Sequence, residues 1–218
     1  MKIKDLWKAE YENKGIPSSF RETPTRIVKL FVDKYKPRGN ALDIGCGKGR
    51  NSIFLAQNGL HVCAMDFLLP ALTELDEKSK KLNINVKTVC QSVTEPLPFP
   101  DNYFDLIVDI FCYKHQIDVK ERAKYRKEVQ RVLKISGFFV LSLAGKEDGF
   151  YGPLLKEGNI VVDPYTKIPS VLFGEEDIKN EFSDFQIVEY IPTSDESPMH
   201  GKVYRRQTLN FIMKKTPV

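Results

Sequence analysis

Short apolar runs alternate with amphipathic segments through the middle of the chain. The apolar runs have the length of single strands, and the segments between them have apolar positions at helical spacing. The pattern predicts strands near 40–45, 61–66, 85–91, 104–111 and 137–144 and helices near 50–59, 69–82 and 119–134. Near-continuous apolar strands separated by helices are typical of a parallel sheet that is buried on both faces. The middle of the chain is therefore predicted to be an α/β unit.

The pattern changes towards the C-terminus. A helix predicted near 175–182 is followed by strands near 185–191 and 204–214, with no helix between those two strands. Two successive strands of this kind predict an antiparallel pair. We therefore expect an α/β fold with a Rossmann-like, doubly wound sheet of about seven strands. It should be mostly parallel, with an antiparallel C-terminal hairpin and helices on both faces.

The most informative turn lies between the first predicted strand and the first predicted helix of this unit. Residues 41–51 read Ala-Leu-Asp-Ile-Gly-Cys-Gly-Lys-Gly-Arg-Asn, so Asp43 precedes the alternate glycines Gly45, Gly47 and Gly49. Glycines let the backbone approach a ligand closely, and the helix that follows directs its free N–H groups at that ligand. Because Asp43 adds a carboxylate to the same crevice, a ligand with both a cationic and an anionic part fits better than a bare phosphate.

The spacing of these glycines separates two classes of cofactor site. The dinucleotide fingerprint G-x-G-x-x-G would require a third glycine where this chain has Arg50. The pattern is instead D-x-G-x-G-x-G, which resembles the first motif of class I S-adenosylmethionine (SAM) dependent methyltransferases. The second strand also ends in an acid, Asp66, at the position that accepts hydrogen bonds from ribose hydroxyls in doubly wound folds. The proline-rich block within 86–111 is similar to the segment between the third and fourth strands of the same class.

The resemblance implies that the chain binds SAM and its product S-adenosylhomocysteine (SAH). The residues that it predicts to contact the cofactor are Asp43, Gly45, Cys46, Gly47, Gly49, Asn51, Asp66, Phe67, Ser92, Val93 and Asp109. Ser92 is a departure, because many members have Asp there to accept from the adenine amino group. The run that starts at Cys46 also looks like the tellurite-resistance and thiopurine-type branch, which implies a small-molecule acceptor.

The predicted domain covers residues 1–218. Its parts are an N-terminal helical cap (1–38), a SAM-binding core (39–145), a substrate-cap insertion (146–174) and a C-terminal helix and hairpin (175–218). Both cap segments can reach the edge of the sheet where ligands of such folds bind, and long loops of this kind are usually lids or disordered. The residues predicted to cap the substrate are Trp7, Tyr11, Phe20, Arg21, Tyr151 and His200.

Catalytic residues are hard to identify by residue type in this chemistry. A sulfonium already activates the methyl group, so the protein needs mainly to align the acceptor, and a general base is needed only for a poorly ionised acceptor. Tyr113 and His115 follow the fourth strand and are the predicted catalytic residues. His115 is favoured as a base by the ordinary pKa of histidine. A surface histidine at the start of a helix is an equally good interpretation.

Composition narrows the classes of partner. The chain has 218 residues, 42% of them hydrophobic, and a net charge of +4 on 33 basic and 29 acidic residues. This balance gives no reason to expect nucleic acid. No apolar run has the roughly 18 residues of a membrane helix, and the charged N-terminus is unlike a secretory signal. We expect a cytoplasmic monomer or homodimer that does not bind a membrane.

Cysteine spacing argues against a metal site. The four cysteines Cys46, Cys63, Cys90 and Cys112 show no C-x-x-C pair. Small buried thiols in a reducing compartment explain them. We therefore expect no metal ion.

Two other functions stay open on the sequence. The first is a non-catalytic SAM-binding or interaction module on the same fold, because a fold does not determine a function. The second is a nicotinamide-dependent oxidoreductase, which Arg50 disfavours.

Overall fold

A computed structural model describes residues 2–216, so Met1, Pro217 and Val218 at the ends of the predicted domain lie outside the described residues. The α-helices are α1 (Ile3–Asn13), α2 (Pro17–Phe20), α3 (Arg26–Tyr35), α4 (Arg50–Gln57), α5 (Leu69–Lys81), α6 (Val119–Val132) and α7 (Glu175–Glu181). The first five strands are β1 (Asn40–Ile44), β2 (His61–Asp66), β3 (Val86–Cys90), β4 (Phe104–Ile110) and β5 (Leu133–Ala144). The other strands are β6 (Ile160–Val162), β7 (Pro169–Val171), β8 (Phe185–Tyr190), β9 (Thr193–Met199) and β10 (Lys202–Lys215).

The main sheet has the order β3-β2-β1-β4-β5-β10-β8, with β9 paired to β10. The strands β3, β2, β1, β4 and β5 are parallel, and β10 is antiparallel to β5, β8 and β9. The predicted fold class is confirmed. The strand order reverses between β1 and β4, and ligands of open α/β sheets bind beyond the carboxyl ends of the strands at such a point.

Alternation along each strand gives the sheet a buried cluster on both faces. On one face, Leu42 and Phe139 pack in the same cluster as Tyr125 of α6. On the other face, Ala41 packs in the same cluster as Phe31 of α3. Because successive side chains of a strand point to opposite faces, the neighbours Ala41 and Leu42 serve different clusters. Burial on both faces explains why these strands read as continuous apolar runs.

The insertion, which the sequence predicts to be a substrate cap, contains a β-hairpin. A bridge between Gly145 and Phe173 closes its base, and β6 pairs with β7 in antiparallel fashion. Phe150 and Tyr151 are buried in a small cluster of their own. The segment therefore has packing that its glycine-bearing sequence did not indicate.

Two buried carboxylates connect this hairpin to the C-terminal strands. The Oδ2 of Asp148 accepts from Nε of Arg206 at 2.7 Å, and the Oδ2 of Asp163 lies 2.8 Å from Nε2 of His200. The ring of His200 also stacks on Tyr165. His200 therefore attaches the β9–β10 turn to the insertion.

The N-terminal helices are joined by one buried acid. The Oε1 of Glu10 accepts from the backbone N–H of Ile16 at 2.5 Å and from the hydroxyl of Ser19 at 2.8 Å. Since Glu10 belongs to α1 and Ser19 to α2, these bonds fix the angle between the two helices. No helix within residues 2–216 is both long and apolar enough to cross a membrane.

Strand β9 was not predicted. Its sequence, Thr-Ser-Asp-Glu-Ser-Pro-Met, has no apolar alternation, because the strand pairs only with β10 and lies off the main path of the sheet. Edge strands of this kind tolerate charged residues and proline.

Candidate active site

Three adjoining cavities open at the carboxyl ends of β1, β2 and β4. The first has a volume of about 380 Å³, the second about 140 Å³ and the third about 30 Å³. Ser18 of α2 contributes to the walls of all three. The site is therefore one branched cleft, located where the strand order reverses.

The glycine turn forms the side of this cleft next to α1. The backbone N–H of Gly47 donates to Oδ2 of Asp66 at 2.9 Å, and the N–H of Leu68 donates to Oδ1 at 2.9 Å. Gly47 has a φ of 55°, and a Cβ on it would lie 2.1 Å from the hydroxyl oxygen of Tyr11. Glycine is needed here both for the backbone conformation and for the approach of α1.

Asp66 keeps hydrogen-bonding capacity for a ligand. Its carboxyl lines the first cavity and is 5% exposed, and burial raises its pKa while bonds from backbone N–H groups oppose that rise. A carboxylate has about four acceptor positions. The bonds from Gly47 and Leu68 leave free lone pairs for further donors.

The third cavity combines opposite charges. Asp43 lines it together with Arg21 and Arg50. The Oδ2 of Asp43 accepts from the Ser52 hydroxyl at 2.6 Å, and burial raises the pKa of Asp43 to about 7. A carboxylate facing two guanidinium groups suits a zwitterionic amino-acid moiety, in agreement with the expectation drawn from the glycine turn.

Other predicted cofactor residues divide between the first and third cavities. Phe67, Ser92 and Val93 line the first, where the Ser92 hydroxyl lies 2.8 Å from the hydroxyl of Thr94. Cys46 and Asn51 line the third. The oxygen of the Asn51 side chain accepts from the backbone N–H of Thr25, so this residue also holds the start of α3.

His115 stands between the first and second cavities, together with Trp7 and Phe111. Its Nδ1 lies 2.8 Å from the carbonyl oxygen of Pro169, and its ring meets Trp7 edge to face with centroids 4.9 Å apart. Burial lowers the pKa of His115 to about 3, well below the ordinary histidine value on which its prediction as a base relied, so its ring is neutral near pH 7. Because a carbonyl only accepts, the neutral ring donates from Nδ1 and keeps the lone pair of Nε2 free.

Tyr113 and Asp109 are placed behind the wall of the cleft. The Tyr113 ring is fully buried against Tyr125 and Phe182, and its hydroxyl bonds to Glu181 and to Arg126. Neither Tyr113 nor Asp109 lines the three cavities.

The Asp109 carboxyl has a different set of partners. It accepts from the backbone N–H groups of Cys112 and Tyr113 and from the Tyr125 hydroxyl. These bonds shape the turn that follows β4. Burial raises the pKa of Asp109 to about 6.

Four of the six predicted cap residues line the cleft. Trp7 is shared by the first and second cavities, Tyr11 by the first and third, and Arg21 by the second and third, while Tyr151 lines the second. Phe20 is 37% exposed and lies outside the three cavities. His200 lies outside them as well, because it is held by Asp163 of the insertion.

Sequence reasoning missed several residues that line the cleft, namely Ser18, Arg50, Phe111, Lys114 and Arg206. Lys114 could have been predicted from the sequence, because it lies between the predicted catalytic residues Tyr113 and His115, shortly after the apolar strand β4. Arg206 had none, since it is one of many alternating residues on β10 and reaches the cleft only through the order of the sheet.

No group of three or more His, Cys, Asp or Glu side chains within residues 2–216 is arranged to hold a metal ion.

Comparison with known proteins assigns a domain to the central part of the chain. Residues 41–137 match a family described as a methyltransferase domain, and this range contains the glycine turn, Asp66 and His115. This part of the chain is a methyltransferase domain, and the curated relatives that the chain matches include proteins named as SAM-dependent methyltransferases. The fold, the glycine motif and the matched domain therefore agree.

Two curated relatives and one solved structure illustrate the similarity. The chain is 32% identical to an uncharacterised methyltransferase of Synechocystis sp. over 59% of its own length and 56% of that protein. It is 28% identical to the probable SAM-dependent methyltransferase TehB of Haemophilus influenzae, over 68% of its own length and 46% of TehB. The chain thus spans about half the length of the curated relatives it matches.

The solved structure is the 1,6-didemethyltoxoflavin-N1-methyltransferase of Burkholderia thailandensis, with bound 1,6-didemethyltoxoflavin and SAH. It superposes with a TM-score of 0.71 over 99% of this chain and 88% of the other, at 19% identity. That likeness shows a shared fold.

Proposed function

We propose that this protein transfers a methyl group from SAM to a small-molecule acceptor. The observation that supports this most directly is the branching of the cleft. A large cavity with Asp66 adjoins the second cavity across a wall of Trp7, Phe111 and His115. A small cavity with Asp43 shares Arg21 and Arg50 with the second cavity. One ligand with an adenosine end and an amino-acid end, and a second ligand beside it, match this arrangement.

The chain's own residues fit SAM at both ends. Asp66 would accept from the ribose hydroxyls, and the apolar side chains of Phe67 and Val93 would flank the adenine. Asp43 would face the methionine ammonium, and Arg21 and Arg50 its carboxylate. When it is bound, SAM supplies an electrophilic methyl group.

The second cavity suits a small acceptor. A dry cavity of roughly 150 Å³ holds one benzene-sized molecule, and this one measures about 140 Å³. Trp7 and Phe111 would exclude water and hold the acceptor in line, and alignment of this kind can supply several kcal/mol of rate acceleration. His115 would accept a hydrogen bond at Nε2 and so orient an acceptor N–H, O–H or S–H group.

We further propose that the segments 1–38 and 146–174 act as the acceptor cap of a single domain. Trp7, Tyr11 and Arg21 come from the first segment and Tyr151 from the second, and all of them line the cleft. A cap built from two segments outside the glycine turn and the second-strand acid would let the acceptor vary while the cofactor side stays the same.

Calorimetry with SAM, SAH, NADH and NADPH tests the proposal first. We expect SAM and SAH to bind and the nicotinamide nucleotides not to bind. Release of SAH over a panel of small hydroxy, amino and thiol compounds then tests turnover. Binding of SAM without turnover on any acceptor would favour the non-catalytic module. Binding of NADPH but not of SAM would favour the oxidoreductase.

A further inference from the structure

One buried cation in the second cavity has no direct ion-pair or hydrogen-bond partner among residues 2–216. Lys114 is 4% exposed and lines the second cavity. Its Nζ lies 4.1 Å from the centre of the Tyr151 ring, and among residues 2–216 no oxygen acceptor lies within hydrogen-bond distance of it. A buried ammonium without a hydrogen-bond partner is costly, so a ligand that supplies one is favoured.

The neighbouring charges do not neutralise Lys114. Arg206 lines the same cavity, but its Nε already binds the buried carboxylate of Asp148. Asp195 and Glu196 of β9 also line the cavity, but both side chains are exposed to solvent at its mouth. The Oδ2 of Asp195 also lies 3.8 Å from a guanidinium nitrogen of Arg26.

Arg21 and Arg50 line the cavity as well, and the buried carboxylate of Asp163 acts on Lys114 together with that of Asp148. Each of the three arginines has a hydrogen-bond partner within the protein, whereas Lys114 has none among residues 2–216. The lining therefore carries more cations than anions, with Lys114 at the floor and the acids of β9 at the mouth.

We propose that the second cavity binds an acceptor bearing a carboxylate or a similar small anionic group, with Lys114 as the residue that recognises the anion. This inference rests on the proposed function, because it places the anion at the floor and the reacting atom at the wall of Trp7, Phe111 and His115. An anion on Lys114 forms a charge-assisted hydrogen bond, which is stronger than a neutral one. The selected acceptor is then both small and acidic.

The titration of Lys114 gives this site a pH signature. Burial and the charge of Arg206 lower the pKa of Lys114 to about 7, while Asp148 and Asp163 oppose the shift. His115, which lines the cavity, is neutral because its own pKa is about 3. The Tyr151 phenol is neutral too, since burial raises its pKa. An anion that binds to protonated Lys114 therefore binds more weakly as the pH rises above about 7.

The test compares benzoate with benzamide, which have nearly the same shape but differ in charge. Calorimetry is carried out on the protein saturated with SAH, because SAH has no sulfonium that would itself attract an anion. We expect benzoate to bind at least about tenfold more tightly than benzamide at pH 6.5, which is the worth of one good charge-assisted contact. Benzoate affinity should fall above pH 7 by up to about tenfold per pH unit, and benzamide affinity should stay constant.

Matched variants separate recognition from folding. Lys114→Met should remove the preference for benzoate, Lys114→Arg should keep it without the pH dependence, and Lys124→Met, at an exposed position on α6, should change nothing. SAH affinity and the thermal midpoint are measured for each variant. Equal binding of benzoate and benzamide, or an unchanged preference in folded Lys114→Met, overturns the inference. Failure of SAH to bind the wild-type protein would instead overturn the proposed function, and the same pair of probes then tests the cavity without SAH.

Discussion

The two sides of the cleft differ in how their polar groups are satisfied. On the cofactor side, Asp66 and Asp43 already accept hydrogen bonds from Gly47, Leu68 and Ser52. On the acceptor side, Lys114 lies on the floor of the second cavity without an acceptor among residues 2–216. The first arrangement is rigid before any ligand arrives, whereas the second gains its missing partner only from a ligand. This difference suggests that the fold encodes cofactor binding and leaves the acceptor to a few side chains.

The largest expected effect comes from breaking the rigid side at Gly47. Gly47→Val would force a Cβ to within 2.1 Å of the Tyr11 hydroxyl at a φ of 55°. Strain of this type costs roughly 1–3 kcal/mol, and the displaced turn also loses its bond to Asp66. We expect SAH affinity in calorimetry to fall by about 100-fold or more.

Gly158→Val is the matched control for this change. Gly158 also has a positive φ, of 67°, but no atom lies within 4 Å of the position of its Cβ. The Gly158→Val variant should be less stable because of backbone strain, but its SAH affinity should equal that of the wild type. A folded Gly47→Val protein that binds SAH as well as the wild type would refute the role assigned to the turn.

The next effect concerns the carboxylate that holds the turn. Asp66→Ala removes the acceptor of two backbone N–H groups as well as the proposed ribose contact. Hydrogen bonds to charged groups are worth about 1.5–3 kcal/mol each, so we expect SAH affinity to fall by about tenfold to 100-fold. Asp177→Ala is the control, because Asp177 accepts from the backbone N–H of Gly174 away from the three cavities. Equal SAH affinity in wild type and Asp66→Ala would contradict the assignment.

A smaller effect follows from Asp43 and pH. Its pKa is raised to about 7, so the free protein binds a proton there below that pH. The methionine ammonium would favour the ionised carboxylate, so binding would release this proton. SAH affinity should therefore rise by up to about tenfold between pH 5.5 and 7.5. Calorimetry in two buffers of different ionisation enthalpy measures the released proton directly. The dependence should vanish in Asp43→Asn, and an unaltered slope in that variant would exclude this site for the ammonium.

The raised pKa values of two buried acids also predict how the free energy of unfolding changes with pH. Asp43 and Asp109 are buried acids whose pKa values, about 7 and about 6, lie above those of the unfolded chain. The native state therefore binds more protons than the unfolded state between about pH 4 and pH 7. Their joint contribution to the free energy of unfolding should decrease as the pH rises through that window. Denaturant unfolding of the wild type and of Asp43→Asn at pH 5 and pH 7.5 measures it, and a slope that is the same in both proteins would contradict the prediction for Asp43.

The smallest expected effect is a difference in hydrogen exchange between the N-terminal segment and the insertion. If the two segments form one lid, residues 1–22 and 145–174 should become ordered together when cofactor and acceptor bind. The insertion, however, packs into a buried cluster with Ala144 of β5 and Met199 of β9 and has a closed base, whereas α1 contributes Glu10 as its buried residue. We expect hydrogen exchange of α1 to slow by several-fold when SAH binds, and that of β6 and β7 to change little. Equal slowing of both segments would support one common lid.

The sequence by itself determined the parallel part of the sheet and the helices that connect its strands. Strands buried on both faces must be apolar along their length, so β1 to β5 and the helices between them could be read from periodicity. The glycine turn and Asp66 are local features as well, since a turn requires its own residues to have the right backbone freedom. Both could be found within a window of about thirty residues, and Asp66 does lie on the cleft beside the turn.

Only the tertiary structure decided the acceptor side. The second cavity combines α1, the turn after β4, the insertion, β9 and β10, and no local pattern connects segments so far apart. Burial also changed the chemistry of particular residues. Tyr113 became part of the core, the pKa of His115 fell to about 3, and Lys114 became 4% exposed without gaining a partner among residues 2–216. Desolvation depends on everything packed around a group, and for that reason a sequence window contains none of this information.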